Sequence, residues 1–596
     1  MRLDRLLVPV GLLAVLGCGP RSAPTAAGPT AGTAPGWEFT GRARVAEGSR
    51  AMVVAGSPIA SDVGREILRQ GGNAVDAAVA VGFAMAVVHP EAGNLGGGGF
   101  MVIRLADGTV QTLDYRETAP ARATRDMYLD SLGEPTDRSL TGHLAAGVPG
   151  AVAGLTEAHH RYGRLPFAAV IAPAIGLARD GFLVDEYRSR SIAGDSARLA
   201  RFPASRASFL PGGAPPEPGT VLRQPDLAST LESIRDHGAE GFYGGRVADL
   251  IVAEMERGSG LISHADLASY RAIWREPIAL RYRGYTIYSM PPASSGGVTM
   301  GEILNIMEGY DPLPPFGSPA LVHLEAEAMR RAFTDRNTWL GDPAFVRNPT
   351  DRLLSKSYAA DLRQSIGDRA TPTPAFAPAP RAGASTTHYS VADSSGNAVS
   401  CTTTLNDSYG SAVTVAGAGF LLNDEMDDFA TAPGKPNMYG LVQGEANAIA
   451  PGKRMLSAMT PSIVLDPKGR LLLVAGTPGG PRIITMVYHV ISNVIDHRMA
   501  LPEAVVAPRM HHQGLPDTLR VEWGGFPPAT LDSLRARGHV IGAGGYWGDV
   551  EAIIRTPAGW WGGGVLSRTV GRSDGRTVSS DSSSPCALLR VTRMAP

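Results

Sequence analysis

A Thr-Thr pair at 386–387 stands where the chain changes character. Residues 371–385 (TPTPAFAPAPRAGAS) are rich in Pro and Ala, which resist regular pairing, so an exposed and mobile linker is expected there. The linker stops abruptly at Thr386. Residues 387–393 (THYSVAD) then alternate like a strand, 394–397 turn, and 398–405 return as a second, Thr-rich strand. A loose linker running straight into a core hairpin is odd for a continuous chain, and a cut between Ser385 and Thr386 accounts for it. A Thr hydroxyl is a poor nucleophile without a base beside it. The amino group of the same residue can be that base, but only if the Thr is a chain terminus. Such an amine has a pKa of about 7.7–8.0 and is partly neutral near physiological pH. The cut needs no protease: a hydroxyl attacks the preceding carbonyl and water hydrolyses the resulting ester. From the residues alone, Ser385, Thr386 or Thr387 could fill this role, and Thr pairs also simply begin strands.

A reacting hydroxyl needs a folded body to hold it. Residues 60–88 read as one long helix with small residues on its faces, and so as a buried one. Residues 93–100 include four consecutive glycines and lead into a strand at 101–105. No Lys-Ser/Thr follows as in a phosphate-binding loop, and no helix as in a dinucleotide fold, so a tight buried loop is expected. From about 140 to 370 the pattern is mostly helical, with 321–333 (LVHLEAEAMRRAF) amphipathic and a β-rich insert near 279–289. No internal repeat is found. Further on, 470–475 read as a strand, Gly479-Gly480 as a turn and 482–495 as a helix whose first turn suits Pro481. The Gly479 and Gly480 N–H groups then lie at a positive helix end, a natural oxyanion hole.

Composition bounds the rest. The 596 residues are 44% apolar and 19% charged, with 72 glycines and a formal net charge of −1. These values fit a globular fold and give no electrostatic case for nucleic acid. Residues 1–5 carry two arginines, and 6–16 form an apolar run too short to span a bilayer, so 1–18 are expected to be an export signal. The run ends in Val15-Leu16-Gly17-Cys18, which resembles a bacterial lipobox and points to lipidation of Cys18. Residues 19–41, rich in Ala, Pro, Gly and Thr, read as a flexible tether. Only Cys401 and Cys586 remain, so no disulfide framework is implied. The adjacent His511 and His512 would diverge on a regular element, and no metal site is expected.

The sequence 386–391 (TTHYSV) resembles the processing site of the γ-glutamyltransferases (γ-glutamyltranspeptidases), of the N-terminal nucleophile hydrolase superfamily. The likeness runs from about residue 45 to 570. It includes 72–77 (GNAVDA), 93–100, 114–117 (DYRE), 147–150 (GVPG), 422–429 (LNDEMDDF), 456–461 (LSAMTP) and 476–482 (GTPGGPR). The resemblance implies an α/β fold, a four-layer α/β/β/α sandwich. It also implies self-processing into a large chain, 42–385, and a small catalytic chain, 386–575, with a low-complexity tail at 576–596.

The same resemblance assigns the nucleophile to Thr386 and places Thr404 where its hydroxyl can orient it. Arg116 is the expected fork for the α-carboxylate of a γ-glutamyl donor, with Ser457 adding a hydroxyl. Asn406, Glu425 and Asp428 are the expected acceptors for the donor's ammonium. Residues 433–444 resemble a lid loop in which Tyr439 closes over the pocket. Where many relatives have two serines, this chain has Ser457 followed by Ala458, so one donor to the carboxylate is missing. The expected partners are a γ-glutamyl donor such as glutathione, an amino acid or peptide acceptor, and no cofactor. The expected place is the bacterial periplasm or cell envelope, with a lipid anchor at Cys18. An acylase for β-lactam side chains on the same scaffold, or an inactive surface protein, are the alternatives.

Overall fold

The strand Met52–Ala55 (MVVA) is apolar on both faces. Val53 and Ala55 join one hydrophobic core, while Met52 and Val54 join another. Gly98–Arg104 repeats the pattern, with Met101 and Ile103 on one side and Phe100 and Val102 on the other. Strands of this kind must be covered on both faces. The computed structural model, which describes residues 32–372, 386–542, 544–557, 559–564 and 592–593, does so with four layers.

Two seven-stranded antiparallel sheets stack face to face. The first runs Thr592–Arg593, Met52–Ala55, Thr386–Ala392, Ala398–Thr404, Gly98–Arg104, Val110–Tyr115, Ile273–Arg275. The second runs Arg44–Gly48, Gly559–Gly564, Glu551–Thr556, Leu471–Gly476, Ser462–Leu465, Tyr285–Ser289, Ile278–Tyr282. Helices Pro58–Arg69, Ala74–Val88 and Ala151–Tyr162 cover the outer face of the first sheet. Gly296–Glu308 and Arg482–Ile495 cover the second, and Pro319–Trp339 packs against Gly296–Glu308.

The single helix expected over 60–88 is two helices. Gly71 takes a φ of +93°, which ends the first, and Asn73 caps the second. The Asn73 side chain accepts from the N–H groups of Val75 and Asp76, while Asp76 accepts from the Asn73 N–H at 2.9 Å. The four glycines serve close packing, as expected of a tight loop. A Cβ on Gly97 would lie 2.1 Å from the Thr404 carbonyl oxygen. The strand also starts earlier than expected, because Gly98 and Gly99 pair with Thr404 and Thr403.

The spacer expected over 19–41 ends sooner. Ala34 donates its N–H to the Gly525 carbonyl at 3.0 Å, and the buried Trp37 indole donates to the Val506 carbonyl at 2.7 Å. The signal and Cys18 lie outside the described residues. So does the expected linker beyond residue 372; at its start, the Thr371 hydroxyl donates to Glu327 at 2.6 Å. The low-complexity tail is likewise outside them, apart from Thr592–Arg593, which pairs with Val53 and Met52. Cys401 is buried and free. Among the described residues, no helix is long and apolar enough to cross a membrane.

Candidate active site

Strand parity sorts the threonines. Thr386 pairs with Thr404 across the central hairpin, and His388 with Thr402. Their side chains face the second sheet: His388 bonds Thr402 Oγ1 at 2.8 Å, and Ser390 donates to the Glu551 carbonyl at 2.9 Å. Burial drops the His388 pKa to about 3, so the imidazole stays neutral. Thr387, Tyr389 and Val391 point the other way, into the helical layer. Of the three candidate hydroxyls, therefore, Thr386 opens into the cleft between the layers, Thr387 does not, and Ser385 lies outside the described residues.

The cleft holds about 320 Å³. Thr386 Oγ1 lies 3.3 Å from Thr404 Oγ1. The Thr404 oxygen also accepts from the Asn406 N–H at 2.8 Å, and its hydroxyl can donate to Thr386. Asn406 takes a φ of +81°, a left-handed conformation that Asn tolerates, and this turns the chain out of the strand beneath the cleft.

Arg116 is fully buried at one end of the cleft. Its Nη1 bonds Glu425, its Nη2 bonds Asp428, and its Nε donates to the Met455 carbonyl at 3.2 Å. Burial lowers its pKa, but Glu425, Asp428 and Glu117 outweigh that, so the net shift is upward and the charge is fixed. Burial likewise raises Asp428, raises Glu425 well above the usual carboxylate range, and raises Glu117 to about 7. Glu425 Oε2 is buried with no hydrogen-bond partner among the described residues. Fork and acceptors thus satisfy one another, with one acceptor left open toward a cation.

Ser457 and Ala458 line the same wall. The Ser457 hydroxyl oxygen accepts from the Met459 N–H at 3.1 Å, which leaves its proton free to donate. Opposite stands Gly480, with a φ of +58°, next to Gly479 at +143°. Their carbonyls accept from Ile483 and Arg482 at the start of the helix, and among the described residues neither glycine N–H has an acceptor. Tyr439 closes the roof: its hydroxyl donates to Asn406 Oδ1 at 2.8 Å, and its ring lies where a Cβ on Gly480 would fall, within 3.0 Å. Burial keeps that phenol protonated.

The cleft therefore gathers Thr386, Thr404, Arg116, Asn406, Glu425, Asp428, Ser457, Tyr439 and Gly480, with Gly479 beside it. Sequence reasoning missed Arg336, which also lines it from the helix Pro319–Trp339. The available signal was a basic residue a turn beyond the amphipathic run, and the helix carries that residue inward. Among the described residues, no group of three His, Cys, Asp or Glu side chains could hold a metal ion.

The gamma-glutamyltranspeptidase family model matches residues 60–576. The chain is also 47% identical over 538 residues to the glutathione hydrolase proenzyme of Escherichia coli (strain K12), across 88% of this chain and 90% of that one. The chain belongs to the gamma-glutamyltranspeptidase family. A second member, the glutathione hydrolase proenzyme of Pseudomonas sp. (strain A14), is 49% identical over 494 residues, covering 82% and 86% of the two chains. Among solved structures, cephalosporin acylase from Bacillus halodurans superposes with a TM-score of 0.79 at 28% identity, over 94% of this chain and 100% of that one. The gamma-glutamyltranspeptidase fold here is thus the N-terminal nucleophile hydrolase sandwich that the resemblance implied.

Proposed function

We propose that this protein is a γ-glutamyltransferase and glutathione hydrolase that frees Thr386 by cutting its own chain. The Thr386 hydroxyl attacks the Ser385 carbonyl, the C–N bond breaks as the nitrogen takes up a proton, and water hydrolyses the ester. Ser385 leaves as a carboxylate and Thr386 gains a free amine. That amine then accepts the hydroxyl proton as Oγ1 attacks the γ-carbonyl of a donor such as glutathione. The Gly479 and Gly480 N–H groups hold the oxyanion. Collapse expels the donor's amine with the proton and leaves a γ-glutamyl ester on Thr386. Water, or the amine of an amino acid or peptide, takes the glutamyl group and restores the hydroxyl.

The observation that carries this reading is the placing of the Thr386 hydroxyl 3.3 Å from Thr404 Oγ1, in a cleft walled by Arg116, Glu425, Asp428 and Ser457. That wall offers both charge signs at one end, which suits a zwitterionic glutamyl head. Export and a lipid anchor at Cys18 complete the proposal, resting on the apolar run at 6–16 and the lipobox-like 15–18. Intact-mass analysis with sequencing of each fragment tests it: two fragments are expected, one beginning at Thr386. Thr386→Ala should stay whole and inactive; processing and turnover in that variant would overturn the assignment. Turnover of glutaryl amides in preference to γ-glutamyl anilides would move the protein to the acylases.

A further inference from the structure

Arg336 is 1% exposed, yet it lines the cleft and makes no ion pair with any described carboxylate. Its partners are neutral. Nε donates to Ser295 Oγ at 2.8 Å, and Nη1 donates to Asn337 Oδ1 at 2.8 Å and weakly to Gln443 Oε1 at 3.4 Å. Nη2 has no acceptor among the described residues. Burial and the like charge of Arg116 pull its pKa down to about 10, and Asp428 only partly offsets them. A buried cation without a counterion is costly, and a carboxylate is the ligand that relieves the cost.

Arg116 differs in that every nitrogen of its guanidinium has a partner, and two of them hold carboxylates. The partners of Arg336 also reach both jaws of the cleft. Ser295 donates through its hydroxyl to the Ser457 carbonyl at 2.6 Å, and through its N–H at 2.8 Å. Gln443 donates to the Asp428 carbonyl at 3.1 Å. Ala458 lines the cleft beside Ser457 with no hydroxyl to offer.

We propose that Arg336 is a second carboxylate anchor of the glutamyl end, its open Nη2 taking the donor's α-carboxylate while its other nitrogens hold the Ser457 and Asp428 segments in register. The proposal rests on the γ-glutamyl reading above and narrows it to donors with a free α-carboxylate.

Calorimetric titration of the processed enzyme with three ligands tests this. L-Glutamate carries both head charges, glutarate keeps only the carboxylate, and 4-aminobutyrate keeps only the ammonium. In Arg336→Gln, Kd for glutamate and glutarate should rise about tenfold or more, and Kd for 4-aminobutyrate should stay within about twofold. Equal weakening of all three, or of none, overturns the assignment, because a purely structural role cannot select for the carboxylate. If Arg336→Gln yields no processed protein, Arg336→Lys carries the test. Its charge remains without the planar fork, so the two carboxylate ligands should still weaken more than 4-aminobutyrate, and equal constants overturn the proposal. Binding is read without turnover. Wild-type protein that binds glutamate through Arg336 but leaves γ-glutamyl anilide uncut would sink the enzymatic reading and spare the anchor.

Discussion

Thr404 is the residue whose chemistry the geometry makes most specific. Its oxygen accepts from the Asn406 N–H and stands 3.3 Å from Thr386 Oγ1, within reach to donate its proton to that hydroxyl. Thr404→Val keeps the shape and removes that proton. Processing and γ-glutamyl-anilide turnover should both slow by roughly 10- to 100-fold, the range for one lost orienting hydrogen bond, as measured by gel time courses and kcat. Glu425 sets a pH dependence. Burial raises its pKa well above the ordinary range, and Glu117 behind it sits near 7. As pH rises, these carboxyls lose protons and gain the negative charge that an ammonium seeks. KM for a γ-glutamyl donor should therefore fall as pH rises, and Glu425→Gln should flatten the slope. A full slope retained in that variant would remove Glu425 from the ammonium site. Residue types alone did not separate Thr386 from Thr387; the register of the strand did, since adjacent residues point to opposite layers. The polar wall was legible only through family resemblance, because an isolated Arg, Glu or Asp more often faces solvent. Arg336 stayed hidden for the same reason.

At the scale of elements, local signals read well and long-range packing did not. The hairpin at Thr386 and the strand–turn–helix around Gly479 are marked by alternation and by Gly-Pro punctuation, which act within a few residues. The break at 70–73 escaped because the small apolar residues of 74–88 are buried all round and leave no polar face whose phase could slip. The docking of Trp37 escaped as well, since its partner Val506 is 469 residues away. The helix Pro319–Trp339 adds a test of burial. Glu325 lies on it, buried and accepting from the Tyr488 hydroxyl at 3.0 Å, and desolvation lifts its pKa from 4.5 to about 8. A carboxyl raised on folding favours the folded state fully below its unfolded pKa, and that contribution is lost as pH rises toward the folded value. Between about 5 and 8 the wild type thus forfeits stability that a neutral isostere keeps. Glu325→Gln should raise Tm more at pH 9 than at pH 5 in thermal scans, while Oε1 still accepts from Tyr488. An equal change at both pH values would show that folding does not raise the Glu325 pKa.

Across the whole molecule, the proposed cut falls where it cannot pull the fold apart. In the first sheet the two strands following residue 385 lie between Met52–Ala55 on one side and Gly98–Arg104 on the other. In the second, the four strands from 462 to 564 lie between Arg44–Gly48 and Tyr285–Ser289. In each sheet a central block of the later segment is therefore flanked on both sides by strands of the earlier one, with Thr592–Arg593 of the later segment added at the edge beyond Met52–Ala55, and every seam is a ladder of backbone hydrogen bonds. Hydrolysing one peptide bond at the head of Thr386–Ala392 removes chain connectivity and leaves those ladders and both cores intact. Neither fragment can keep its strands covered alone, because each would expose the apolar faces that the other buries. The two fragments should accordingly co-elute as one particle in native size exclusion, resolve into two bands only under denaturing conditions, and separate in urea at the concentration where far-ultraviolet circular dichroism is lost. Separation of folded fragments at lower urea would mean that the sheets do not interleave the two segments in this way.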